Sequence, residues 1–470
     1  MNAQTDPVPR AAGGGGKPPA PERSTHERLK ATLRREGEGL TPRALRRLLT
    51  DLQEVMAPRV SEVEAGRRAQ AVAEWYGAAA PEERRDLWLL LCEHFAADTA
   101  QVQSAQQRYA DAAGTDEAQQ AEAHLRRALV SPRTRLLQRF AVFPEGLRFL
   151  VDLRAELLPR LRADRRLLPL DAELEQLFST WFDVAFLELH RLSWDSPASL
   201  LEKLIKYEAV HDIKSWADLK NRVGEHRRCY GFFHPRLPDE PLIFVEVALV
   251  DAISGSITPL LDETAEPADL KRATTAIFYS ISNTQTGLRG VSCGDSLIKH
   301  VVETLRAEFP RLRTFATLSP IPGLRAWLTK NGAARLESLD NKERAELARA
   351  LQTGGGAPEL APLLAAAEKG LELPAKSPVR QFITRCAAQY LAQEMKGGRP
   401  LDPVARFHLG NGARVERLNW AGDPSPKGVK QSFGLMVNYL YDLKRLDRHR
   451  EQLAKGRIPA SGEIEALLRG

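Results

Sequence analysis

One stretch, Thr274 to Gly323, restricts the possible folds more than any other part of the chain. It opens with Ala276-Ile277-Phe278-Tyr279-Ser280-Ile281, a short run of apolar, β-branched and aromatic residues that reads as a buried strand. Gln285-Thr286-Gly287-Leu288-Arg289-Gly290-Val291-Ser292-Cys293-Gly294 follows, with glycine at 287, 290 and 294. Leu297, Ile298, Val301, Val302 and Leu305 then recur at helical spacing. A second strand, Thr314 to Leu318, is expected to end abruptly in the turn Ser319-Pro320-Ile321-Pro322-Gly323. Strand, glycine-rich turn and helix together make a place for an anion, because glycines admit a ligand close to the backbone and the first N–H groups of the helix point toward negative charge. Neither G-x-G-x-x-G nor G-x-x-x-x-G-K-[ST] spacing occurs. The same glycines also read as a tight connection needed only for packing. The Ser319 turn and a distant histidine motif favour the functional reading.

Length and charge bound the rest. With 470 residues the chain has room for two domains and ample core. Its 67 Lys and Arg against 61 Asp and Glu leave a mild net charge of +6, with both signs interspersed. Aromatics are few and no nucleic-acid module is recognisable, so nucleic acid is not an expected partner. Cys92, Cys229, Cys293 and Cys386 are far apart and form no C-x-x-C pair, which gives no hint of a zinc site. No apolar run approaches the ~18 residues of a membrane helix. Residues 1–24, rich in Pro and Gly and without a secretory apolar region, are expected to be a disordered tail, and the protein cytoplasmic.

Residues 25–192 carry almost only helical signals and are expected to form an all-helical bundle domain. Thr41-Pro42 is an N-cap followed by proline at the first helical position, ahead of Leu45, Leu48, Leu49, Leu52 and Val55. Residues 193–470 read as a second domain of mixed character, with a helical insertion at about 330–376. Strands are expected at Cys229 to Pro235 and Pro241 to Val250, continuing through Ile253 to Thr258. Glu246 interrupts the run LIFVEVALV, as an edge or solvent-facing position in preference to a site carboxylate. His408, in Phe407-His408-Leu409-Gly410-Asn411-Gly412-Ala413, would sit at the mouth of a tight turn and is either structural or catalytic. The run Ser432 to Leu443 is expected to be helical, with Tyr439 and Tyr441 in the core or facing a site.

Several of these motifs recur together in one family. The glycine-rich turn, TLSPIPG, FHLGNGA and GLMVNYLYDL, taken with AVHDIKSWADLKNRV and EPLIFVEVALV, closely resemble malonyl-CoA decarboxylase over about residues 200 to 445. The resemblance implies an α+β fold: an amino-terminal helical domain, then a catalytic domain of the acetyltransferase (GNAT) type. In that type, helices pack on a mixed, mostly antiparallel sheet whose splayed strands hold the acyl-CoA. It places the catalytic serine at Ser319, the catalytic histidine at His408 and a supporting tyrosine at Tyr441. Gln285, Gly287, Leu288, Arg289, Gly290, Val291, Ser292, Cys293, Gly294 and Asp295 would match the turn that receives the coenzyme. An acidic Asp295 beside a pyrophosphate fits only if it caps the helix and points away.

The implied reaction converts malonyl-CoA to acetyl-CoA and CO2. Loss of CO2 leaves an enolate that the thioester itself delocalises, so no metal or organic cofactor is called for. His408 would protonate the enolate carbon while Ser319 holds the malonyl carboxylate or thioester. Two alternatives are an acyl-CoA-dependent N-acyltransferase of the same fold and a non-catalytic acyl-CoA-binding or assembly protein. A homo-oligomer, tetrameric by resemblance, is expected.

Overall fold

A computed structural model describes residues 22–265, 269–291, 297–353 and 356–469. Residues 1–21, most of the expected tail, lie outside the described residues, as do Ser292, Cys293, Gly294 and Asp295 of the turn. The chain divides into two compact units: Met1–Leu150 with Glu156–Leu174, and Val151–Ala155 with Glu175–Gly470. Among the described residues no helix is long and apolar enough to cross a membrane.

The first unit is helical. Pro42–Val55 begins where Thr41 Oγ1 accepts the N–H of Ala44, and it buries Leu45, Leu48, Leu52 and Val55 along one side. Pro81–His94 turns Leu87, Leu90 and Leu91 inward. Its Asp86 pairs with buried Arg28 and also accepts the N–H of Leu40 at 2.7 Å, so the buried charges are compensated.

Among the described residues the second unit has ten strands: β1 Glu188–Leu192, β2 Arg227–His234, β3 Leu237–Val250, β4 Thr275–Asn283, β5 Thr314–Thr317, β6 Ser319–Pro320, β7 Met395–Lys396, β8 Arg399–Pro400, β9 Arg414–Asn419 and β10 Met436–Leu440. β7 and β8 form a separate ribbon; the others make one sheet in the order β1-β2-β3-β4-β5-β10-β6, with β9 on β10. Among the described strands β4 and β5 pair in parallel, over Thr275–Thr314 to Phe278–Thr317, and the other strand pairs are antiparallel. All of β5 is paired, and β4 runs on from Phe278 to Asn283 with no β5 partner. This is the expected α+β arrangement, helices on a mixed, mostly antiparallel sheet. The Leu297–Glu308 helix joins the two parallel strands and buries Leu297, Ile298, Val301, Val302 and Leu305.

Several expectations need correcting. Glu188–Leu192, inside the stretch read as helical, is strand β1, paired along its length with β2; its apolar residues Leu189 and Leu192 stand three apart, a helix-like spacing that the pairing with β2 overrides. Ile253 to Thr258 does not continue the strand, because Pro259 and the carbonyl of Gly422 divert it into the single helical turn Thr258–Leu261. Glu246 is neither at an edge nor solvated. It lies on β3 between β2 and β4, is 1 % exposed, and sits 3.3 Å from Arg222 Nη1. Arg222 is also held by Asp218 at 2.7 Å, so the buried carboxyl belongs to an ionic cluster. Ser432 to Leu443 is not a helix: its middle is β10, paired on both sides. A central strand buried on both faces shows no clean alternation, which is why its apolar run was read as helical.

Candidate active site

Thr317 ends β5 and Ser319 begins β6. Both strands pair with β10, at Ala316–Leu440 and Ser319–Val437, and between those points the ladder is interrupted. There Tyr439 donates its backbone N–H to Thr317 Oγ1 at 3.1 Å, and Asn438 Nδ2 donates to the Thr317 carbonyl at 2.6 Å. Side chains therefore satisfy backbone groups that a regular ladder would have paired. Ser319 accordingly stands in an extended segment rather than in a turn. Its hydroxyl donates to Thr317 Oγ1 at 2.9 Å.

His408 comes from the last turn of the helix Pro403–Gly410, not from the mouth of a turn. Asp402 caps that helix by accepting the N–H groups of Val404 and Ala405, each at 2.9 Å, and Pro403 occupies the first helical position. Gly412, at φ +86°, then releases the chain toward β9. The ring of His408 is packed on every side that matters for its direction. Nε2 lies 3.3 Å from Ser319 Oγ and Nδ1 lies 2.8 Å from Tyr441 Oη. Tyr439 stacks on the ring with centroids 4.7 Å apart, and Phe407 meets it edge-on at 5.1 Å.

All three polar side chains are buried: Ser319 is 5 % exposed, His408 3 % and Tyr441 4 %. Burial pushes the imidazole of His408 down to about 3 and the Tyr441 phenol above its ordinary range. The ring is therefore neutral near pH 7 and carries a proton on one nitrogen only. Such a group can pass a proton between a hydroxyl on one side and a phenol on the other. Serine, histidine and tyrosine, read from separate motifs, are thus brought together.

The described part of the glycine-rich turn divides by direction. Gln285 is buried, and its Nε2 donates to Thr284 Oγ1 at 3.0 Å. A Cβ added to Gly287 would stand 1.9 Å from the Val151 carbonyl oxygen, so glycine is needed there for packing. Leu288 is buried, Arg289 and Gly290 are exposed, and Val291 is intermediate. Gly290 has φ +84°, a left-handed conformation that favours glycine. Arg154, itself 1 % exposed, donates through Nη1 to the carbonyls of Gly287 (2.8 Å) and Arg289 (3.0 Å). Arg154, Thr317 and Asn438 are not singled out by the sequence as residues that hold the site, whereas Tyr439 is, as a residue of the core or facing a site. A threonine in a strand and an arginine in an arginine-rich helix carry no distinguishing signal.

Comparisons with known proteins identify the family. Residues 185–470 match the family model for the malonyl-CoA decarboxylase C-terminal domain, and residues 95–182 match the model for the N-terminal domain. The chain belongs to the malonyl-CoA decarboxylase family. The mitochondrial malonyl-CoA decarboxylase of Anser anser anser is 38 % identical over 395 residues, which cover 80 % of this chain and 78 % of the relative. The crystal structure of malonyl-CoA decarboxylase from Rhodopseudomonas palustris is 41 % identical, with a TM-score of 0.76 over 90 % of this chain and 99 % of that one. The Cupriavidus metallidurans structure is 42 % identical, with a TM-score of 0.74 over 91 % of this chain and all of its own (100 %).

Proposed function

We propose that the chain decarboxylates malonyl-CoA to acetyl-CoA and CO2 at Ser319 and His408, with Tyr441 behind the imidazole. Family membership supports the reaction. The observation that carries the assignment of residues is the 3.3 Å approach of Ser319 Oγ to His408 Nε2 inside a buried pocket of hydroxyls.

Breaking the bond between the malonyl methylene and its carboxylate releases CO2 and leaves the electron pair on the α-carbon, delocalised into the thioester carbonyl. The oxyanion of that enolate needs hydrogen-bond donors in a site that excludes water. Ser319 supplies one once substrate is bound, its hydroxyl proton turning from Thr317 Oγ1 to the carboxylate or to the thioester oxygen. His408 then gives its Nε2 proton to the α-carbon. A neutral imidazole suffices as donor, because a thioester enolate is far more basic than the ring it takes the proton from. Tyr441 passes its hydroxyl proton to Nδ1 as the Nε2 proton leaves, and the phenolate so formed takes a proton from water as the product departs, which supplies the one proton the overall reaction consumes.

The part of β4 beyond Phe278, which β5 does not cover, supplies the place for the coenzyme's arm. Gln285 lies seven residues beyond Phe278 and Ser319 two beyond Thr317, the register partner of Phe278. The turn therefore stands about 17 Å beyond the serine at ~3.3 Å per residue, the scale of an extended pantetheine arm. Gln285, Gly287, Leu288, Arg289, Gly290 and Val291, with Ser292, Cys293, Gly294 and Asp295, are proposed to receive the coenzyme's diphosphate end.

A cytoplasmic location accords with Cys92, Cys229 and Cys386 being free, buried thiols. Homo-oligomeric assembly, tetrameric by resemblance, is testable by sedimentation. The reaction itself is tested with malonyl-CoA as sole substrate and mass-resolved products. Acetyl-CoA and CO2 are expected without any acceptor. Turnover only after an amine is added would instead indicate an acyltransferase, and binding without turnover an assembly module.

A further inference from the structure

We infer that Thr317 is a positioning residue for the decarboxylation, its hydroxyl setting the direction in which the chain of hydrogen bonds through Ser319 and His408 runs. The inference rests on the proposed roles of those two residues. It comes from the interruption between β5 and β6, where the Thr317 side chain takes the place of a ladder acceptor.

Thr317 is wholly buried, at 0 % exposure, and the directions around it are constrained. The backbone N–H of Tyr439 can only donate, and it donates to Thr317 Oγ1 at 3.1 Å. Ser319 gives its single hydroxyl proton to the same oxygen at 2.9 Å. The threonine oxygen thereby accepts twice, and Ser319 turns a lone pair, not a proton, toward His408 Nε2 at 3.3 Å. The proton between Ser319 and His408 is then the one on Nε2. Nδ1 has no proton left and accepts from the Tyr441 hydroxyl at 2.8 Å. The chain runs Tyr441 to His408 to Ser319 to Thr317, and it presents an Nε2–H beside the serine, where the reaction needs a donor.

The backbone holds this arrangement in place. Asn438 Nδ2 binds the Thr317 carbonyl at 2.6 Å and is itself tied through its Oδ1 to Asn419 Nδ2 at 2.8 Å. Phe278 of β4 accepts the N–H of Leu318 at 2.9 Å. Thr317 therefore cannot turn without disturbing three strands. A serine at this position would keep the hydroxyl; a valine would keep the β-branched shape and lose it.

The test compares Thr317→Val and Thr317→Ser with wild type in the full chain, measuring kcat, KM for malonyl-CoA, and the His408 tautomer by 15N NMR. Wild type should show the Nε2–H tautomer. Thr317→Val should lose roughly tenfold in kcat, with KM changed by less than about threefold, as expected for one lost orienting hydrogen bond. Its His408 signal should move toward the Nδ1–H form, and Thr317→Ser should restore both readings. An Nδ1–H tautomer in the wild-type protein would overturn the inference even if Thr317→Val failed to fold. So would unchanged kcat in Thr317→Val while Ser319→Ala is inactive. Full turnover by Ser319→Ala would instead strike the reading of the site on which the inference stands.

Discussion

The hydroxyl of Tyr390 occupies the space where any residue other than glycine at position 323 would carry its Cβ: an added Cβ would stand 2.0 Å from Tyr390 Oη. That hydroxyl donates to Asp402 Oδ2 at 3.2 Å, and Asp402 caps the helix that presents His408. The glycine closing the Ser319 motif is thus coupled, through one phenol and one carboxylate, to the start of the histidine's helix.

Gly323→Ala should therefore do more than crowd a turn. Displacing Tyr390 is expected to cost about 1–3 kcal/mol of stability and to lower activity by shifting His408 relative to Ser319. Gly410→Ala, where an added Cβ meets nothing within 4 Å, is the control and should be close to neutral in both. Thermal melts and turnover of the two variants check the contrast. Equal behaviour would remove the coupling.

His408 is expected to remain neutral across the working range of the enzyme, because burial holds its imidazole down at about 3. An unfolded chain takes up that proton near pH ~6.5, so the folded state binds fewer protons than the unfolded state between the two values. Wild type should lose stability relative to His408→Gln as pH falls from about 6.5 toward 3, and the two should keep a constant difference above 7. Side-chain NMR showing His408 titrating between pH 6 and 7 would contradict this.

Glu246 gives the opposite sign. Burial, reinforced by the nearby Glu208 and opposed by Arg222, pushes its carboxyl up to about 8. The folded state holds a proton that the unfolded chain releases near pH ~4.3, so the stability linked to it is complete below that value and is lost as pH rises toward 8. Glu246→Gln should melt at increasingly higher temperature than wild type between pH 5 and 8. A gap that stays flat with pH would mean that the carboxyl is ionised within its cluster.

Arg154→Ala removes the guanidinium that holds the carbonyls of Gly287 and Arg289. The expected effect is a rise of about tenfold in KM for malonyl-CoA with little change in kcat, since an acceptor pair is left unsatisfied beside the turn but not beside the reacting carbon. Steady-state kinetics decide it. A fall in kcat at constant KM would place the influence of Arg154 on the chemistry instead.

What could be read beforehand followed from local chemistry. β4 and the Leu297–Glu308 helix each carry their own periodicity, whereas the roles of Ser319 and His408 came from the resemblance of TLSPIPG and FHLGNGA to one family. What could not be read depended on partners distant in sequence. β10 passed for a helix because β5, β6 and β9 all cover it, which erases the alternation of a half-exposed strand. Glu246 passed for a solvated residue because its hydrogen-bonding partner, Arg222, lies on a helix 24 positions away. The hydroxyl of Thr317 acquires a role only once Tyr439 has placed an N–H against it.

The most direct measurement is turnover of malonyl-CoA by purified Ser319→Ala and His408→Ala, each with coenzyme-thioester binding measured alongside. Both variants are expected to bind malonyl-CoA while losing acetyl-CoA and CO2 formation by a factor on the order of 10²–10⁴. Wild-type rates of CO2 release from either one would show that the 3.3 Å pair is not where the chemistry happens.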